Sequence, residues 1–135
     1  MAKLVTEFVA SAREILKNRP TANMVLMRGF SMKPSLPSFD EIFKLRAAAI
    51  ASYPMYRGLA KLVGMEVVPA GATLEDELAA LEASYAKFDF FYIHVKGTDS
   101  AGEDGDFPRK VKVIEQVDAA LPGILRLNPE VLIIT

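Results

Sequence analysis

Residues 88–95, FDFFYIHV, constrain the chain more than any other stretch. They hold no glycine or proline, are rich in aromatic and β-branched residues, and are apolar on both alternating faces. That is the profile of a central strand in a sheet covered on both sides. The apolar run then stops, and GTDSAGEDGD places four carboxylates, Asp99, Glu103, Asp104 and Asp106, among three glycines. A buried strand that ends in clustered acids raises the question of what neutralises them.

The rest of the chain supplies the layers such a strand needs. Leu4, Phe8, Ala12 and Leu16 recur at helical spacing and end before Pro20. NMVLM (23–27) reads as a short buried strand, and GFSMKPSLPSF (29–39), with two prolines and three serines, as a loop and the best place for a boundary. AAAIA (47–51) reads as a strand because Pro54 then opens a helix that Gly64 closes. MEVV (65–68) is a further short strand.

Thr73 and Asp76 form a capping box before a helix with Leu74, Leu78, Leu81 and Tyr85 on its inner face. Phe107, Val111, Ile114, Val117 and Leu121 mark the inner stripe of another helix, and VLIIT (131–135) reads as a last strand. Strands alternating with helices, without hairpin turns, imply an α/β fold: a mainly parallel sheet with helices on both faces.

Bulk properties exclude several classes. One domain is expected from 135 residues. A net charge of −1 sets up no field for nucleic acid or an anionic membrane. With no cysteine there is neither a disulfide framework nor thiolate chemistry. The N-terminal segment mixes charges of both signs and spaces its apolar residues, unlike a targeting peptide. A soluble, cytoplasmic protein is the expectation.

The acidic segment is expected as a loop at the carboxyl end of the central strand, where parallel α/β proteins build their sites. Clustered carboxylates repel unless a cation or basic groups neutralise them, and hard divalent ions such as Mn²⁺ or Mg²⁺ take oxygen ligands. Asp99 and Glu103 are the candidate pair. The plainer alternative is a solvated turn whose acids favour the start of the next helix. His94, the only histidine, is expected to support a site rather than to ligate. Arg28, Lys33, Arg57 and Lys96 fall at or near expected element ends and would suit an anionic, phosphorylated substrate; taken singly, each also reads as a solvated charge. No glycine-rich phosphate loop and no Ser-His-Asp set is present.

ANMVLMRG, LRAAAIASYPMYRGLAKLVGMEVV, TLEDELAAL and FDFFYIHVKGTDSAGEDGDFPRKVKVIEQVD together resemble the archaeal-type 2,3-bisphosphoglycerate-independent phosphoglycerate mutases of the alkaline phosphatase superfamily. The resemblance runs along nearly the whole chain. It implies an alkaline phosphatase-like core and an isomerase of glycolysis and gluconeogenesis that interconverts 3-phosphoglycerate and 2-phosphoglycerate. It further implies a phosphoserine intermediate and two divalent metals, Mn²⁺ or Mg²⁺. The family's metal-binding aspartate falls on Asp99. The ligand four residues later, commonly histidine in the superfamily, falls on Glu103, which leaves Glu103 or Asp104 to take that place. Arg28 and Lys33 resemble substrate-binding positions, with Arg57 and Lys96 as neighbours.

The same resemblance makes the sequence an internal piece of a mutase, without the nucleophilic serine and inactive alone. Residues 1–30 would be the exit of an inserted domain and 31–135 part of the metal-binding domain. An exposed sheet edge would allow homo-oligomers. The competing expectation is a stand-alone α/β binding or regulatory module without catalysis.

Overall fold

A computed structural model describes residues 1–135. The chain divides into two units, Met1–Pro34 and Ser35–Thr135. The first consists of helix α1 (Ala2–Leu16) followed by residues without regular structure. Contrary to expectation, NMVLM forms no strand there, and Leu26 is 88% exposed. A strand is stabilised by a hydrogen-bonded neighbour, and the first unit contains no second strand to provide one.

The second unit is a three-stranded parallel sheet with helices, in the order α2 (Phe39–Phe43), β1 (Ala47–Ala51), α3 (Pro54–Leu62), β2 (Glu66–Val67), α4 (Leu74–Ser84), β3 (Phe90–His94), α5 (Lys96–Glu103) and α6 (Phe107–Arg126). The spatial order is β2-β1-β3. The alanine strand β1 is therefore central, and FFYIH is at an edge, correcting the central position expected for it. Size explains the exchange. All five residues of β1 are buried, so both of its faces are covered, and its small side chains let the neighbouring layers come close. The bulky residues of β3 are only half-buried. Since β2 and β3 flank β1 on opposite sides, the right-handed rule for parallel crossovers assigns α3 and α4 to opposite faces.

Register is pinned at the start of both strands. Arg46 donates from Nε and Nη2 to the Asp89 carboxylate, each at 2.9 Å, and its backbone N–H adds a third bond at 3.0 Å. This fork precedes five parallel pairs, from Ala47↔Phe90 to Ala51↔His94. At the other end of α3, the N–H of Met65 bonds the carbonyl of Ala60 and that of Gly64 the carbonyl of Lys61. Gly64 has φ +77°, and a Cβ there would stand 2.8 Å from Ser38 Cβ, so only glycine fits.

Local signals act as expected at α4, where Thr73 and Asp76 cap each other. Ser38 and Glu41 do the same for α2, a short helix starting at the end of the stretch expected to be a loop. Its Phe39 ring packs 4.7 Å from that of Phe90. One other expectation fails and a second holds only at Val117 and Leu121. VLIIT forms no strand, has no ladder partner, and leaves Val131 74% exposed. On α6 the half-buried residues include Val113, Val117, Leu121 and Ile124, while Phe107, Val111 and Ile114 are exposed. The inner stripe is turned because α6 packs on α5, where Gly97 leaves room for Val113; a Cβ on Gly97 would lie 3.1 Å from Val113 Cγ1.

One acid lies inside. Glu77 is 2% exposed, and its Oε1 accepts the N–H of Ser52 at 3.1 Å, just past the end of β1. Burial pushes its carboxyl above the usual range, partly offset by the bonds from Ser52. With a raised folded value, the contribution of Glu77 to stability is full below its unfolded value and is lost as pH rises through the folded one. Glu77→Ala, which leaves the Ser52 N–H without its acceptor, is expected to cost about 1–3 kcal/mol in urea denaturation at pH 7. Glu77→Gln keeps the acceptor without the buried charge and is expected to match or exceed the wild type; a loss equal to that of alanine would refute this account.

Asp89 behaves oppositely. Its bonds from Arg46 hold it at about 2, below the ordinary 3.8. The stability it contributes is full above 3.8 and is lost as pH falls through about 2. Asp89→Asn is expected to flatten the acid limb of the stability curve between those values, measured by circular dichroism.

Candidate functional site

The strand order locates the site. The chain runs from β1 to β2 on one side and then crosses to β3 on the other, so the topological switch point lies between the carboxyl ends of β1 and β3. There Ala51 pairs with His94, and the segments Ser52–Tyr56 and Val95–Asp99 leave the sheet side by side.

Aromatic rings line this place. Pro54 at the first position of α3 fixes where the helix begins, with Tyr53 as its N-cap and Tyr56 within the first turn. The Tyr56 ring stacks on His94 with centroids 3.6 Å apart, and Tyr92 lies 6.3 Å from the same imidazole. His94 Nδ1 is buried and has no hydrogen-bond partner. Burial, more than any neighbouring charge, pushes His94 below its ordinary value, with Asp99 pulling the other way. Burial also pushes the Tyr92 phenol up. A neutral imidazole results, with one nitrogen unsatisfied at the strand end.

The acidic segment is a helix rather than the expected loop. Lys96 to Glu103 form α5, and Asp99 sits in its first turn, where the helix dipole favours an anion. Helical spacing puts Asp99 and Glu103 on one face. The Lys96 ammonium, on a side chain only 19% exposed, bonds Asp99 and lies 3.4 Å from Glu103 Oε2. The bond to Lys96 depresses the Asp99 carboxyl and raises the Lys96 ammonium. Nζ also sits 5.1 Å from the Tyr53 ring centroid.

The other two acids are engaged elsewhere. Asp104 pairs with Arg109 Nη1 at 2.7 Å, and Asp106 caps α6 by accepting the N–H of Arg109. The four carboxylates that looked like one cluster thus divide three ways, and no three His, Asp or Glu side chains converge on a common point. Asp99 and Glu103 alone share a cation.

Among the basic candidates, Lys96 is in this cluster. Arg57 is exposed on α3 without an ion-pair partner, and Arg28 and Lys33 are exposed in the first unit. Sequence reading singled out none of Tyr53, Tyr56 and Glu77. The available signal was SYPMY directly after a strand, where a proline-started helix must set its first side chains at the strand's end.

The profile of the metalloenzyme superfamily matches residues 4–135. The chain belongs to that superfamily. Relatives include the Thermotoga neapolitana protein named "Probable 2,3-bisphosphoglycerate-independent phosphoglycerate mutase", 58% identical over 134 residues. That match covers 99% of this chain and 33% of the relative. A Thermus thermophilus protein of the same name is 54% identical over 137 residues, covering 99% and 34%. The chain therefore spans about a third of the length of these curated relatives. Among solved structures, a Pyrococcus horikoshii protein superposes with a TM-score of 0.75 at 27% identity, covering 93% of this chain and 38% of its own. The cofactor-independent phosphoglycerate mutase of Thermoplasma acidophilum shares the fold, with a TM-score of 0.57 at 22% identity over 91% of this chain and 34% of its own.

The stack on His94 generates a prediction. Tyr56→Ala admits water to the imidazole, and the His94 pKa is expected to rise toward the ordinary 6.5 in an NMR titration of its ring protons. An unchanged or lower value would mean that the ring of Tyr56 does not shield it.

Proposed function

We propose that this chain carries one half of the metal centre of a phosphoglycerate mutase that interconverts 3-phosphoglycerate and 2-phosphoglycerate through a phosphoserine intermediate, using two divalent cations. The observation that carries the reading is the Asp99–Glu103 pair, which shares one cation at the sheet's switch point in a chain 58% identical to a protein named as such a mutase. The donor chemistry fits the group in part: two carboxylates one helical turn apart offer the oxygens that Mn²⁺ or Mg²⁺ prefers.

Asp99 is the first ligand in this reading, and Glu103 the second. Asp104 is the weaker candidate because its carboxylate is held by Arg109. Bound divalent cations supply charge neutralisation at a phosphoryl group. Around them, Lys96 and Arg57 provide positive charge for the substrate phosphate, and His94 holds its place beneath Tyr56 as a neutral, half-buried support. Arg28 and Lys33 take the same substrate-binding role on the resemblance alone, as does the assignment of residues 1–30 to the exit of an inserted domain. The nucleophilic serine that the resemblance implies is assigned to no residue of this chain, so the chain by itself has no mutase activity.

Isothermal titration of Mn²⁺ into the chain tests the site. Weak binding is expected, reduced at least about tenfold by Asp99→Asn and by Glu103→Gln, as removal of one charged ligand from a two-carboxylate site implies. Binding unaffected by either substitution would remove the metal assignment. Measurable conversion of 3-phosphoglycerate by the purified chain would refute its inactivity.

A further inference from the structure

Lys96 stands where a cation is least favoured by the backbone. It is the first residue of α5, and the free N–H groups of a helix start carry partial positive charge. Its ammonium nevertheless stays close, drawn between Asp99 and Glu103, with most of its stem covered. From the same position the ammonium also faces the ring of Tyr53, 5.1 Å from Nζ, a contact that needs no carboxylate.

We infer that Lys96 is an exchangeable internal counter-ion. In the metal-free chain its ammonium holds the two carboxylates together; when a divalent cation takes their oxygens, the ammonium gives way and becomes available to the anionic ligand. This rests on the metal reading proposed above. The reason is electrostatic: an ammonium and a doubly charged ion on the same carboxylates repel each other twice as strongly as two unit charges at that distance. One of the two must leave. Lysine suits the role because its charge is compact and its four-carbon stem flexible, whereas arginine's planar fork would grip a carboxylate with two bonds. One side chain thereby keeps like charges compatible in the empty site and supplies a phosphate-binding cation in the filled one.

Mn²⁺ titrations of the chain, of Lys96→Met and of Lys96→Arg, followed by the electron paramagnetic resonance of free Mn²⁺, test this. Lys96→Met keeps the stem and removes the competitor, so it should bind Mn²⁺ about three- to tenfold more tightly, the range that two released surface ion pairs can impose. Without metal it should melt lower than the wild type, and Mn²⁺ should raise its melting temperature by more. Lys96→Arg should bind Mn²⁺ more weakly than the wild type. Equal or weaker binding by a folded Lys96→Met, alongside Asp99-dependent binding by the wild type, overturns the exchange and leaves the metal reading intact. If Lys96→Met does not fold, unchanged or tighter binding by Lys96→Arg overturns it instead. Absence of Mn²⁺ binding in every chain, or binding indifferent to Asp99→Asn, overturns both.

Discussion

The ladder between β1 and β3 is the constraint on which the second unit depends. Five parallel pairs are set in register by a charged fork at one end, Arg46 on Asp89, and by the Ala51–His94 pair at the other. A slip of one residue would reverse the facing of every side chain in β3. It would turn His94 away from Tyr56 and change where α5 begins. The fork is solvent-exposed and its bare energetic value is modest, yet its geometry is specific: three bonds to one carboxylate, two of them from a planar guanidinium. Its contribution is therefore positional more than energetic.

The carboxyl end of the same ladder is organised by a succession of local contacts. Glu77 holds the peptide at Ser52, Pro54 starts α3, and α3 carries Tyr56 onto His94. Burying an acid to fix one backbone N–H is costly, as the raised Glu77 carboxyl shows. What it secures is the direction in which the chain leaves the central strand, and with it the two tyrosines at the switch point. A hydrophobic residue at position 77 would pack as well and leave that peptide without an acceptor.

Much of this was legible in the sequence where the signal is local and strong. The capping box at Thr73, the proline start and glycine end of α3, the alanine strand and the long helix after Phe107 are each set by residues within a few positions. Signals that depend on partners were not legible. NMVLM and VLIIT have the composition of strands, but a strand exists only beside a neighbour, and neither has one. FFYIH was read as central because it is apolar on both faces, whereas the middle of this sheet goes to the strand small enough to be covered closely from both sides. The acidic segment was read as a loop for its glycines; Gly97 and Gly102 are tolerated inside α5, and Gly97 admits Val113 of α6. The division of four acids between Lys96 and Arg109 could not be seen without knowing that Asp104 and Asp106 face Arg109.

That division also explains why only one carboxylate pair retains chemical potential. Asp106 is committed to a helix start, and Asp104 to a guanidinium whose charge is permanent. Asp99 and Glu103 share a single ammonium on a flexible stem, so two negative charges face one positive charge that can be exchanged. Of all the charged groups in the second unit, this trio alone joins an uncompensated charge, a mobile partner and a place at the end of the sheet. An electropositive ligand is favoured there by charge balance, while the positive end of the helix dipole at Lys96 opposes every cation at this place, so the two carboxylates alone must hold whichever one sits there.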